Sequence, residues 1–155
     1  MMPLENTAYT VLPSVSGVAV SVGCVMEDGR PDYLRACELD AVGREAEAVP
    51  HYERALAGLL PADERRDALL GLGSTFRALG RYDEALAKLE EGRREFPGHR
   101  AYEPFLALTL HNLGRHAEAV ELLLTALAET TAEDSIARYE RALLFYAAQP
   151  DTTWL

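Results

Sequence analysis

Four histidines, two cysteines and 25 carboxylates carry the reactive chemistry of this 155-residue chain, and their spacing decides which reactions are open to them. His111 and His116 stand five apart with Gly114 between them. One helical face therefore does not present them as the i, i+4 pair of a zinc helix, and a surface or groove role fits them better. Cys24 and Cys37 form no CxxC and no Cys/His cluster with zinc spacing, so the pair points to a reducing compartment. Cys37 falls on a helical face with Tyr33 and Asp40 and has no base beside it, which reads as an inert thiol. Gly71-Leu72-Gly73-Ser74 lies inside a helical pattern and lacks the following GK[ST] of a phosphate loop, so these glycines serve close helix crossing. Glu90-Glu91 and Glu133-Asp134 sit near Arg93, Arg94 and Arg138, as solvated ion-paired faces do. Ser74 and Ser135 have no G-x-S-x-G context. The residues thus predict no catalytic centre, no metal and no cofactor.

Composition narrows the partners. With 25 acidic against 15 basic residues the net charge is −10, and no run of Lys or Arg forms a stripe that would attract nucleic acid or an anionic membrane. Lys88 is the sole lysine among those 15 cations, a bias that fits a GC-rich bacterial coding sequence. An apolar content of 48 % suits one core-bearing domain. The longest apolar stretch, Val11 to Val25, is broken by Pro13, Ser14, Ser16, Gly17, Ser21 and Gly23, too short and interrupted to span a bilayer. Residues 1–26 share none of the periodicity of the rest of the chain and read as an irregular extension, with Met26 the preferred initiator. The start lacks the Lys or Arg of a secretory signal, and Ser21-Val22-Gly23-Cys24 lacks the cationic lead of a lipoprotein box. A cytoplasmic location is the resulting expectation.

The elements that position these residues appear as a repeat. Gly43-Arg44-Glu45-Ala46-Glu47-Ala48-Val49 returns as Gly80-Arg81-Tyr82-Asp83-Glu84-Ala85-Leu86 and as Gly114-Arg115-His116-Ala117-Glu118-Ala119-Val120. The intervals are 37 and 34 residues, and Pro61-Ala62-Asp63-Glu64 is the expected site of a longer connection. Matched columns surround each glycine: small residues (Ala36, Gly73, Ala107), large apolar ones (Leu39, Phe76, Leu110), then Val42, Leu79 and Leu113. After the glycine come Ala48, Ala85 and Ala119, then Tyr52, Leu89 and Leu123, then Ala55, Gly92 and Ala126. Spacings of three, four and seven define one apolar helical face, so each unit is a helix, a Gly-centred turn and a second helix. The glycines suit a left-handed helix end, and Glu47, Glu84 and Glu118 fall where a carboxylate complements the positive helix terminus. Thr130-Thr131-Ala132-Glu133 reads as a capping box opening one capping helix over Ser135 to Ala148, with Ile136, Tyr139, Leu143, Tyr146 and Ala147 on one face. Residues 27–149 are the expected solenoid, and 150–155 a tail with Trp154.

A 34-residue helix-turn-helix unit with these small and large positions resembles the tetratricopeptide repeat. The middle unit matches best, with Leu69, Leu72-Gly73, Phe76, Ala85, Leu89 and Pro97 where that family has W, L-G, Y, A, F and P. Arg35, Glu103 and Gly92 depart from the pattern: Glu103 replaces the opening bulky residue of unit three, and Gly92 replaces an alanine. The resemblance implies an all-α, right-handed α-solenoid of about three units plus a C-terminal capping helix, acting as a non-catalytic module for a protein or peptide partner. Alternatives are a homo-oligomer, such as a homodimer with Trp154 in a neighbouring groove, and a small enzyme subunit.

In such a stack the first helix of each unit lines the concave groove. Counting opposite the core columns selects Tyr33, Cys37 and Asp40 in unit one and Asp67, Leu70, Ser74 and Arg77 in unit two. Unit three contributes Pro104, Leu108, His111 and Asn112, and Arg138 is placed at the far end. Some family members clamp a chaperone C-terminal carboxylate with Lys and Asn on these helices. This chain has Tyr33, Cys37, Leu70 and Ser74 in the corresponding places, a mixture suited to an extended or helical peptide held by apolar anchors.

Overall fold

The computed structural model describes residues 26–153; Cys24, the Val11 to Val25 stretch and Trp154 lie outside the described residues. Among the described residues the regular secondary structure is all helix apart from one isolated bridge, Asp28 with Leu59. The three expected units are α1 (Arg30–Ala41) with α2 (Glu45–Ala57), α3 (Ala62–Ala78) with α4 (Tyr82–Glu95), and α5 (Tyr102–Asn112) with α6 (His116–Thr130). Each second helix carries the first helix of the next unit, α2 on α3 and α4 on α5. The short α7 (Asp134–Ala137) and α8 (Glu140–Ala147) come last, and α8 packs on α6 where a fourth unit would begin.

The G-R-x-x-E signature is a turn with two jobs. Gly43, Gly80 and Gly114 have φ of 73°, 75° and 77°, the left-handed region that a Cβ disfavours. The residue after each glycine sends its N–H back to Leu39, Phe76 or Leu110 at 2.9 Å, closing the Schellman motif and satisfying an orphan carbonyl. That same arginine caps the next helix and grips the glutamate three residues on with two hydrogen bonds, Arg44 to Glu47 at 2.6 and 2.5 Å and likewise in the other units. These bonds hold all three glutamates below the usual carboxylate range. In unit two the Arg81 guanidinium also lies 4.2 Å over the Phe76 ring.

The small and large columns form the core. Ala36, Leu39, Ala48, Tyr52, Leu72, Phe76 and Ala85 make one buried cluster across units one and two. Leu89, Tyr102 and Leu106 continue it into unit three, followed by Ala107, Leu110 and Ala119. Gly73 is buried, and an added Cβ would meet the Leu89 side chain at 2.5 Å, which explains the small residue at this crossing.

Four local expectations are corrected. Pro61-Ala62-Asp63-Glu64 is not a loop: Pro61 caps α3 and the rest is its first turn, so the additional residues lengthen the helix. Val42 and Leu79 are 68 % and 38 % exposed, because as helix-end residues they point away from the packed face. Leu123 is 45 % exposed although Tyr52 and Leu89 in its column are buried, since α6 has only the short α8 beyond it. The capping segment is also divided. Thr130 ends α6 and donates to the Ala126 carbonyl, while Glu133 caps α7 by accepting from the Ser135 N–H at 3.2 Å. The helix breaks at Arg138–Tyr139, leaving Tyr139 and Tyr146 more than half exposed and Ala147 buried.

Candidate functional site

The face formed by α1, α3 and α5 carries all the predicted groove residues except Arg138, and it divides into three parts. At the first end Tyr33 meets Cys37, with Asp67 and Glu64 close enough to act on its hydroxyl. Burial foremost, then the neighbouring Cys37 and after it the Asp67 and Glu64 charges, pushes that hydroxyl well above its ordinary acidity range. Asp67 is itself held by Arg66 at 2.8 Å.

Asp40, counted as a groove residue, is bound into the scaffold. Its Oδ2 accepts from the Tyr52 hydroxyl at 3.0 Å and from Thr75 Oγ1 at 2.9 Å, and its Oδ1 accepts from Thr75 at 3.0 Å. One carboxylate thereby ties α1 to α2 and to α3 of the next unit. Burial, and secondarily the Asp40 charge, drives the Tyr52 hydroxyl strongly upward, so it remains a donor. Leu70 likewise packs on the Leu89, Tyr102 and Leu106 cluster.

The far part is the open one. Leu108 is 48 % exposed, and Pro104, His111 and Asn112 are also exposed. Arg77 reaches from unit two to donate to Asn112 Oδ1 at 3.4 Å, a weak link between neighbouring first helices. Ser74 is half-buried between these parts. Arg138 lies apart, in the turn between α7 and α8, with its guanidinium 5.0 Å over the Tyr139 ring.

Two arrangements were not legible from spacing. His111 and His116 belong to different helices, yet the Gly114 turn brings their Nδ1 atoms to 3.0 Å. Among the described residues no group of three His, Cys, Asp or Glu is placed to hold a metal ion. Asp32, His51 and Arg54 form the second cluster: Asp32 Oδ1 lies 2.6 Å from His51 Nδ1 and accepts from Arg54 at 2.9 Å. Their separations of 19 and 22 residues match no motif and are set by the packing of α2 on α1.

A protein-family model described as "Tetratrico peptide repeat" matches residues 30–149. No curated protein matches the chain.

Proposed function

Because the chain belongs to the tetratricopeptide repeat family, whose repeats are units of protein–protein interaction and are typically non-catalytic, we propose that it binds a segment of a partner protein along the α1, α3 and α5 face. The observation that supports this reading is the exposed set Pro104, Leu108, His111 and Asn112, adjoining Arg77 from the neighbouring unit. An apolar anchor beside hydrogen-bonding side chains on a rigid helical surface suits an extended or helical peptide, and little ordering is needed on the protein's own side. Tyr33, Asp67 and Ser74 extend the same face toward α1, while Asp40 and Leu70 hold its shape. No described helix is long and apolar enough to cross a membrane.

The test is affinity capture from the native cell followed by mass spectrometry, repeated with a Leu108→Ala, His111→Ala and Arg77→Ala variant. Loss of the captured partner with an unchanged circular dichroism spectrum supports the groove. Undiminished capture overturns it.

A second reading, self-association, is supported by Val120, Leu123 and Leu127, which are 42 %, 45 % and 41 % exposed on α6 at helical spacing. Size-exclusion chromatography with light scattering, on the intact chain and a Val120→Glu, Leu123→Glu variant, separates the two. A dimer that the variant dissolves favours this second reading.

A further inference from the structure

His111 and His116 stand three residues before and two after the turn glycine of unit three, the places held by Asp40 and Glu45 in unit one and by Arg77 and Tyr82 in unit two. The backbone of the turn is the same in all three units, but only unit three puts an imidazole at both places. In unit one Asp40 is turned inward to Tyr52 and Thr75. The turn that carries the two histidines is fixed by Gly114 at φ 77°, by the Gly114 N–H donating to the His111 carbonyl at 3.0 Å, and by the Arg115 N–H donating to the Leu110 carbonyl at 2.9 Å.

The two Nδ1 atoms lie 3.0 Å apart, with ring centroids 4.6 Å apart and ring planes inclined at 52°. Both side chains are exposed, and neither ring has another hydrogen-bond partner among the described residues. An ion held by both nitrogens at the usual metal–imidazole length of about 2.0–2.1 Å subtends roughly 90–100° at that separation. That is the cis angle of a tetragonal or octahedral ion such as Cu(II) or Ni(II), whereas the tetrahedral angle of zinc needs nitrogens about 3.3–3.4 Å apart. The cations beside the pair are engaged elsewhere: Arg115 grips Glu118 with two hydrogen bonds, and Arg77 reaches Asn112. The net charge of −10 draws cations toward the surface in general. No third His, Cys, Asp or Glu among the described residues closes the site, so its other coordination positions fall to solvent.

We propose that His111 and His116 form a chelating site for a divalent transition-metal ion of the nickel and copper class, bound through both Nδ1 atoms with water in the remaining positions. The turn supplies the chelate effect: once one imidazole holds the ion, the other is already within reach of it. Imidazole nitrogen suits this class of ion, while calcium and magnesium take oxygen ligands. The site does not depend on the partner-binding reading, although His111 belongs to both surfaces.

Calorimetric titration of the full, untagged chain with nickel(II) chloride tests it, nickel being the probe because it does not oxidise thiols. One saturable equivalent is expected. His111→Gln and His116→Gln should each weaken it by at least about tenfold, since either change leaves a single imidazole, and the circular dichroism spectrum should stay as it was because both side chains are exposed. His51→Gln and His99→Gln should leave the titration unchanged, and magnesium chloride should give no binding. In amide NMR spectra the paramagnetic ion should broaden Leu113, Gly114 and Arg115 first, which locates it at the turn. Absence of saturable nickel binding up to about 1 mM overturns the proposal and leaves the pair a plain Nδ1–H···Nδ1 hydrogen bond. So does nickel binding that either His111→Gln or His116→Gln retains in full, or broadening centred on His51, His99 or a cysteine.

Discussion

Replacing Gly92 by alanine tests a close approach between α4 and the Tyr102 ring of α5. The family pattern has alanine here, and alanine is the better helix former, so a sequence-level argument favours the substitution by about 1 kcal/mol. The structure reverses that sign. A Cβ on Gly92 would lie 2.3 Å from Cε1 and Cζ of Tyr102 and 2.4 Å from its hydroxyl, where ordinary contacts begin at 3.4 Å. The ring would have to retreat by roughly 1 Å to reach van der Waals contact. It is fully buried, and its hydroxyl donates to the Arg66 carbonyl at 2.6 Å, so that retreat breaks the bond. Overpacking of about 1–3 kcal/mol and a lost buried hydrogen bond of about 1–3 kcal/mol, less a helix gain of about 1 kcal/mol, leave a net destabilisation of about 1–5 kcal/mol. Urea unfolding followed by circular dichroism reads this as a lowered midpoint at unchanged slope. The same substitution in a Tyr102→Leu background removes the clash, and there alanine should be neutral or stabilising by about 1 kcal/mol. Equal costs in the two backgrounds would refute the close-approach explanation.

Asp40→Ala should destabilise by about 1–3 kcal/mol, because the Tyr52 hydroxyl loses its carboxylate acceptor and Thr75 falls back on the Gly71 carbonyl. Asp40→Asn, which keeps an acceptor, should cost less in the same urea titration. Gly80→Ala meets no neighbouring atom, so its expected cost of about 1–2 kcal/mol is backbone strain alone. Gly98→Ala, equally open and without positive φ, serves as the neutral control in thermal melts. Hydrogen bonds from Arg54 and His51 hold the Asp32 carboxyl below its ordinary 3.8. Its folded-state value is thus depressed, so its contribution is complete above the unfolded value and is lost as pH falls through the folded one. Asp32→Asn should therefore show a shallower loss of stability than the parent when urea midpoints are compared between about pH 5 and pH 2.

The three helical pairs were legible because a repeat writes its packing code several times. The spacing of Ala36, Leu39, Ala48 and their counterparts follows from helix geometry alone, and the turn glycines announce a backbone conformation that few other residues adopt. The same counting placed the groove candidates on α1, α3 and α5, but it treated Asp40 and Leu70 as free. It had no means of seeing Thr75, 35 residues away, or the Tyr102 cluster against which Leu70 packs. The capping segment misled for a related reason. Helical periodicity continues through Arg138 and Tyr139, while the break there depends on how the last turns settle on α6.

By itself, then, the sequence determined the repeat: three helix pairs, their Schellman turns and the arginine–glutamate forks. Each of these depends on residues within a few positions of one another, where chain geometry leaves little choice. The tertiary structure alone decided the state of polar groups brought together from distant segments. It satisfied Asp32 and Asp40, joined His111 to His116 across a turn, and left one buried oxygen of Glu103 without a partner among the described residues. The physical reason is that burial and hydrogen-bond satisfaction are properties of the assembled surroundings, which two carboxylates at the same repeat position need not share.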